Sequence, residues 1–230
     1  TTVSILGNSA IFTGSASIVP APTPHQLYVE SVYHDVLGRS PDPSGLAHWA
    51  VQLDGGAPPS SVAAAIAHSD EYYANFVIKP DYLKYLDRAA DDSGVSYWTA
   101  KMQAGLTDGQ LAAQLVASDE FFKAAGGTNS AWIDAAYQAL LGRAADAGGQ
   151  AYWTGRLSAG ELRPQVAQGF TTSVESEKIQ INDDYLHYLG RPADPTGLDH
   201  WLAQFTAGGT NEDLIAAFTG SDEYYKAHSG

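Results

Sequence analysis

A chain of 230 residues with 26 acidic against 12 basic side chains carries a formal charge of -14, a field that repels phosphate backbones and anionic headgroups and argues against nucleic acid as a partner. The absence of cysteine excludes disulfides and thiolate metal sites, and fits either a reducing cytosol or a secreted protein held by its core or by metal ions. No apolar run approaches the roughly 18 residues of a membrane span, so membrane insertion is not expected.

Residues 1–25, "TTVSILGNSAIFTGSASIVPAPTPH", are rich in Ser, Thr and Gly and close on spaced prolines. They read as an extended arm or linker. Val3, Ile5, Ile11, Phe12, Ile18 and Val19 would also suit a strand pairing with upstream sequence.

From there the chain repeats itself four times, giving units at 26–78, 79–128, 129–179 and 180–230. With Arg39, Arg88, Arg143 and Arg191 as origins, the other landmarks fall at constant offsets. A tyrosine precedes each by six (Tyr33, Tyr82, Tyr137, Tyr185). An aspartate follows by three (Asp42, Asp91, Asp146, Asp194), a glycine by six (Gly45, Gly94, Gly149, Gly197) and a tryptophan by ten (Trp49, Trp98, Trp153, Trp201). A Ser-x-Glu closes each unit at Ser69, Ser118, Ser173 and Ser221. The arginines are 49, 55 and 48 residues apart, so insertions fall between units.

Within a unit the spacing predicts about four short helices. The first carries the Tyr and ends at "GR", with Gly at the exit except where Asp87 stands. The second is capped by the repeated Asp, with Pro43 and Pro195 at its first position, and turns Trp inward beside Leu46 and Leu53 or Val95 and Met102. The third shows i, i+4 apolar pairs, Val62 and Ile66 through Leu214 and Phe218, with a capping box from Thr107 to Gln110 in unit 2. "SDEYY", "SDEFF" and "SDEYY" begin the last, with Ser as cap and acids at the positive end of the dipole. Unit 3 reads "SVESE" there, losing both aromatics, so different packing is expected of it. The fold class is therefore all-α: four related helical units, packed as a repeat array or as two paired bundles.

The motif of Tyr and Leu before "GR", then Asp, Gly, Trp and Ser-x-Glu-Phe/Tyr resembles the bacterial family called domain of unknown function 4214, over about Leu27 to Tyr225. The resemblance implies a helical module of large secreted or surface proteins, often beside calcium-binding repeats. Similar segments occur in the polysaccharide-holding part of surface-layer proteins. The family has no established catalytic residues to carry over. Asp87, Gln150 and "SVESE" depart from the pattern.

The repeated Arg has two readings, a structural pair with the Glu or Asp of its own or a neighbouring unit and a grip on an anionic ligand. The common hydrolase, nucleotide and metalloprotease motifs do not appear. His48 and His200 occupy the place of Tyr97 and Tyr152 just before Trp, an amphipathic edge position. Calcium is admitted as a cofactor by the acid clusters Asp91 with Asp92 and Asp183 with Asp184, whose bland reading is capping and solvated charge. Tyr73, Phe122 and Tyr225, the second aromatic of each pair, are candidates to stack on a sugar or a partner. Starting at Thr1 without Met, the chain is expected to be a mature form or a piece of something longer, and with Lys scarce and Gly, Ala, Ser, Thr and Asp plentiful it leans towards a secreted or bacterial cell-surface protein. The expected function is non-catalytic binding or anchoring to surface polysaccharide or a surface protein. A structural or protein-interaction domain is the alternative, and a polysaccharide hydrolase comes last.

Overall fold

A computed structural model describes residues 21–230. The arm expected over 1–25 therefore lies, up to residue 20, outside the described residues. At its far end Thr23 already caps a helix through a capping box with Gln26, and Pro24 and His25 are helical.

Unit 1 contains α1 (Pro24–Leu37), α2 (Pro43–Asp54), α3 (Pro59–Ala67) and α4 (Asp70–Tyr72), the last passing into a π-helical segment, Tyr73–Ile78. Unit 2 has α5 (Lys79–Leu86), α6 (Asp92–Gln103), α7 (Asp108–Val116) and α8 (Asp119–Ala124). Unit 3 has α9 (Asn129–Leu141), α10 (Ala147–Ser158) and α11 (Arg163–Thr171). Then α12 (Val174–Leu189) closes unit 3 and opens unit 4, which continues with α13 (Pro195–Thr206), α14 (Asn211–Thr219) and α15 (Asp222–His228). Among the described residues there is no strand, and no helix is long and apolar enough to cross a membrane.

The spacing between units explains the junctions. With 48 residues between Arg143 and Arg191, the closing helix of unit 3 runs without interruption into the opening helix of unit 4. The first junction is one residue longer, and that residue is taken up by the π turn Tyr73–Ile78. The 55-residue spacing carries Gly126 and Gly127, both at positive φ, which end α8 and let α9 start afresh under its Thr128 cap. The boundaries at 78/79 and 179/180 thus fall inside continuous helix. Each unit keeps its four helical segments, but the last segment of unit 1 runs into the first of unit 2, and the last of unit 3 into the first of unit 4.

The units pair, though not in sequence order. α3 of unit 1 packs on α14 of unit 4, and α7 of unit 2 packs on α11 of unit 3. Two equivalent ties hold these pairs. The Tyr28 hydroxyl donates to Pro59 O at 2.9 Å and to Thr219 O, at the end of α14, at 3.0 Å. One half-molecule on, Trp132 Nε1 donates to Val116 O, at the end of α7, at 2.8 Å. The second half of the chain thus repeats the first, and α15 returns to pack on α1. One apolar core runs through units 1 to 3 and takes in Ile215 and Tyr224, while Ile181, Tyr185, Leu214 and Phe218 form a smaller one in unit 4. The four repeat tryptophans are only partly buried at the edges of these cores. The fully enclosed indole is that of Trp132, which stands outside the motif.

Candidate functional site

The repeated motif is built the same way in each unit. Asp42, Asp91, Asp146 and Asp194 cap α2, α6, α10 and α13, accepting from the backbone N–H of Gly45, Gly94, Gly149 and Gly197. These bonds hold the carboxylates of units 1 to 3 below the ordinary range: the Ser44 hydroxyl leads at Asp42, the Ser93 hydroxyl at Asp91 and the Gly149 N–H at Asp146. The glycine is required because the Tyr at offset minus six lays its hydroxyl on the helix start. A Cβ at Gly45 or Gly94 would come within 3.2 Å of that oxygen, and one at Gly149 or Gly197 would overlap it.

The arginine leaves the preceding helix over the ring of the same Tyr, with its guanidinium carbon 5.2, 5.0, 4.9 and 5.2 Å from the four centroids. In three units it then forks onto the Glu of its own Ser-x-Glu. Arg39 reaches Glu71 at 2.5 and 2.6 Å, Arg88 reaches Glu120 at 2.7 and 3.0 Å, and Arg143 reaches Glu175 at 2.6 and 2.8 Å. Arg hydrogen bonding lowers all three glutamates. Arg191 is looser, 3.6 Å from Glu223 and 3.7 Å from Asp194. The fork that would recognise an anion is thus occupied in units 1 to 3, and the pairing is intra-unit. "SVESE" keeps the two residues this needs, Ser173 as cap of α12 and Glu175 as the Arg143 partner.

Two variants of the aromatic centre follow from one position. In units 1 and 2, where Ile66 and Leu115 face it, the indole N–H donates to the Tyr hydroxyl: Trp49 to Tyr33 at 3.2 Å, Trp98 to Tyr82 at 2.9 Å. In units 3 and 4 the position holds Phe170 and Phe218, whose rings pack edge-on or tilted between Tyr and Trp instead. Tyr137 and Trp153 lie 4.8 and 4.7 Å from Phe170, and Tyr185 and Trp201 lie 4.5 and 5.6 Å from Phe218.

The three aromatics expected to face a ligand are otherwise engaged. Tyr73 is buried along with Tyr72, and its hydroxyl meets His68 Nδ1 at 3.0 Å. The Phe122 ring lies beneath the Arg163 guanidinium at 4.1 Å, and Tyr225 packs on Tyr28 at 5.1 Å. What the units do present is the residue before Trp. Tyr97 is 53% and Tyr152 55% exposed, and His48 and His200 are exposed at the same place. Each ring stands edge-on to its Trp, 4.7 to 5.2 Å between centroids. Lys101 and Arg156, one turn on, sit 5.6 Å over the two tyrosines. Their exchange of Tyr with His was the signal in the sequence.

Of the acid clusters, Asp91 spends its carboxylate on the cap and Asp92 is exposed. Asp183 is also exposed, whereas Asp184 turns into the molecule. Among the described residues no three His, Cys, Asp or Glu side chains are arranged to hold a metal ion.

The family model described as "Domain of unknown function (DUF4214)" matches residues 11–76, 77–123, 112–180 and 176–228. No curated protein and no solved structure matches the chain. The chain belongs to the DUF4214 family and carries four tandem copies of its domain.

Proposed function

We propose that this chain is a non-catalytic extracellular module of a bacterial surface or secreted protein that holds cell-surface polysaccharide. The observation that carries the reading is the exposed ring each unit sets beside its buried-side Trp: His48, Tyr97, Tyr152 and His200. A Tyr face stacks on the C–H face of a sugar, and Lys101 beside Tyr97 supplies donors to its hydroxyls, whereas Arg156 beside Tyr152 is forked on Glu161. Four weak sites on one chain suit a ligand that itself repeats, since each further contact is made at high effective concentration. The charge of -14 favours neutral sugars over anionic ones.

Binding of the purified chain to an array of bacterial surface polysaccharides, in calcium and again in chelator, tests this. Saturable binding that drops at least tenfold in a Tyr97→Ala, Tyr152→Ala variant is expected, and loss in chelator would add calcium as a participant. Equal binding by variant and parent refutes the reading. A protein partner is the second reading, favoured by the exposed apolar residues Phe76 and Leu83 before and within α5 and their counterparts Ile179 and Leu186 in α12.

A further inference from the structure

Where α7 of unit 2 meets α14 of unit 4, the molecule encloses acid. Glu212 is 1% exposed, and its carboxyl lies close enough to that of Asp108 to make Asp108 harder to ionise. Asp184 and Asp81 stand near the same group, from α12 and α5. Asp108 Oδ1, Asp184 Oδ2, Asn211 Oδ1 and Glu212 Oε1 are all shut off from solvent with no hydrogen-bond partner. Among the described residues Gln150 Oε1 is the other buried side-chain atom so placed. The orphaned oxygens are therefore gathered at one joint and call for hydrogens.

The acids belong to units 2 and 4 alone. At the position of Asp81 and Asp184, units 1 and 3 carry Val32 and Ala136. At the helix starts holding Asp108 and Asn211-Glu212, they carry Pro59-Ser60 and Arg163-Pro164. The repeat itself does not need these carboxyls. Around them lie Tyr72 and Tyr73 from the end of unit 1, Lys84 and Tyr85 from α5, Asp183 and Tyr188 from α12, and Asp213 from α14, with Asp35 of α1 behind Tyr188. His68 reaches in only as far as Asp213, at 3.2 Å. Lys84 and His68 are the cationic side chains of this set, and a cavity of about 270 Å³ lined by Asp81, Asp108, Asp183 and Asp184 gives protons a way in.

We infer that this acidic centre is a proton-operated clasp: protonated carboxyls hold unit 2 against unit 4, and loss of their protons loosens that joint. Burial pushes Asp81 up to about 7 and Asp184 up to about 8, and Asp108 well above its usual range with Glu212 adding to the effect. A carboxyl harder to ionise in the folded than in the unfolded chain stabilises the fold while it is protonated. That contribution is complete below about pH 4 and is lost as pH rises through the folded value, here between about 4 and 8.

The test is thermal unfolding of the full chain from pH 4 to pH 9, with hydrogen exchange at 107–116 and 211–219. The midpoint is expected to fall by about 5–10 °C between pH 5 and pH 8, with exchange rising in those two segments first. Asp108→Asn, or Asp184→Asn should the former fail to fold, is expected to reduce that fall by half or more. A flat wild-type profile, or a fall unchanged in both variants, overturns the inference. So does recovery of the pH 5 midpoint at pH 8 on adding calcium, which would give the carboxyls to a cation.

Discussion

Two glycines of one helix, Gly149 and Gly155 of α10, provide a sharp test of why the motif needs its glycine. Replacing a helical Gly by Ala normally gains about 0.8–1 kcal/mol, because Ala forfeits less backbone entropy. At Gly155 nothing lies within 4 Å of the new methyl, so Gly155→Ala is expected to deliver that gain in full. At Gly149 the same methyl would overlap the Tyr137 hydroxyl and sit 2.9 Å from its Cζ. Tyr137 cannot step aside, being buried against Phe170 at 4.8 Å. Overpacking of this kind costs about 1–3 kcal/mol. With an overlap this close the upper part of that range applies, leaving Gly149→Ala a net loss of about 1–2 kcal/mol after the propensity gain. Urea unfolding of the two single variants therefore gives opposite signs. Adding Tyr137→Phe removes the overlapped oxygen and should return at least half of the loss, a coupling visible in a double-mutant cycle. If Gly149→Ala is as stable as the parent, or Tyr137→Phe does not rescue it, the steric account of the motif glycine is wrong.

Other expectations follow from the same structure. Asp87, the αL residue at φ 50° where the other units have Gly38, Gly142 and Gly190, should be improved by Asp87→Gly by roughly 0.5–1 kcal/mol in chemical denaturation; a loss would mean its side chain matters. Trp132→Ala is expected to cost about 3–5 kcal/mol as a full core truncation, and Trp98→Ala measurably less because its ring is only partly buried; the reverse order would contradict the burial argument. Tyr28→Phe, which strips the donor shared by Pro59 O and Thr219 O, should cost about 1–2 kcal/mol, and an unchanged midpoint would show that this tie between units 1 and 4 is idle. Glu71→Gln should cost no more than about 1 kcal/mol, since the Arg39 pair is exposed at the surface. The lowered carboxyls of Glu71, Glu120 and Glu175 contribute stability above the ordinary carboxylate range and lose it as pH falls. Together with the acid centre, which loses stability as pH rises, they place the most stable pH near 5. A maximum above pH 8 in the unfolding profile would refute that.

What the sequence determined by itself is local and repetitive. Asp before a helix, Gly at its third position, apolar residues at i and i+4, and Ser before two acids each act within a few residues of themselves, so their roles could be read without knowing where the units lie. The pairing of Arg with the Glu 32 residues on was legible as one of two readings, because the two recur in step. Tertiary structure decided the rest. Which unit packs on which, 1 on 4 and 2 on 3, depends on apolar faces of α3, α7, α11 and α14 that look alike in sequence. The burial of Tyr73 beside His68 and the covering of Phe122 by Arg163, 41 residues away, depend on what other parts of the fold bring against them. The acidic centre was invisible for the same reason. Asp81, Asp108, Asp184 and Glu212 come from four helices and two units, and a charge reveals its cost only when the fold has taken away its water.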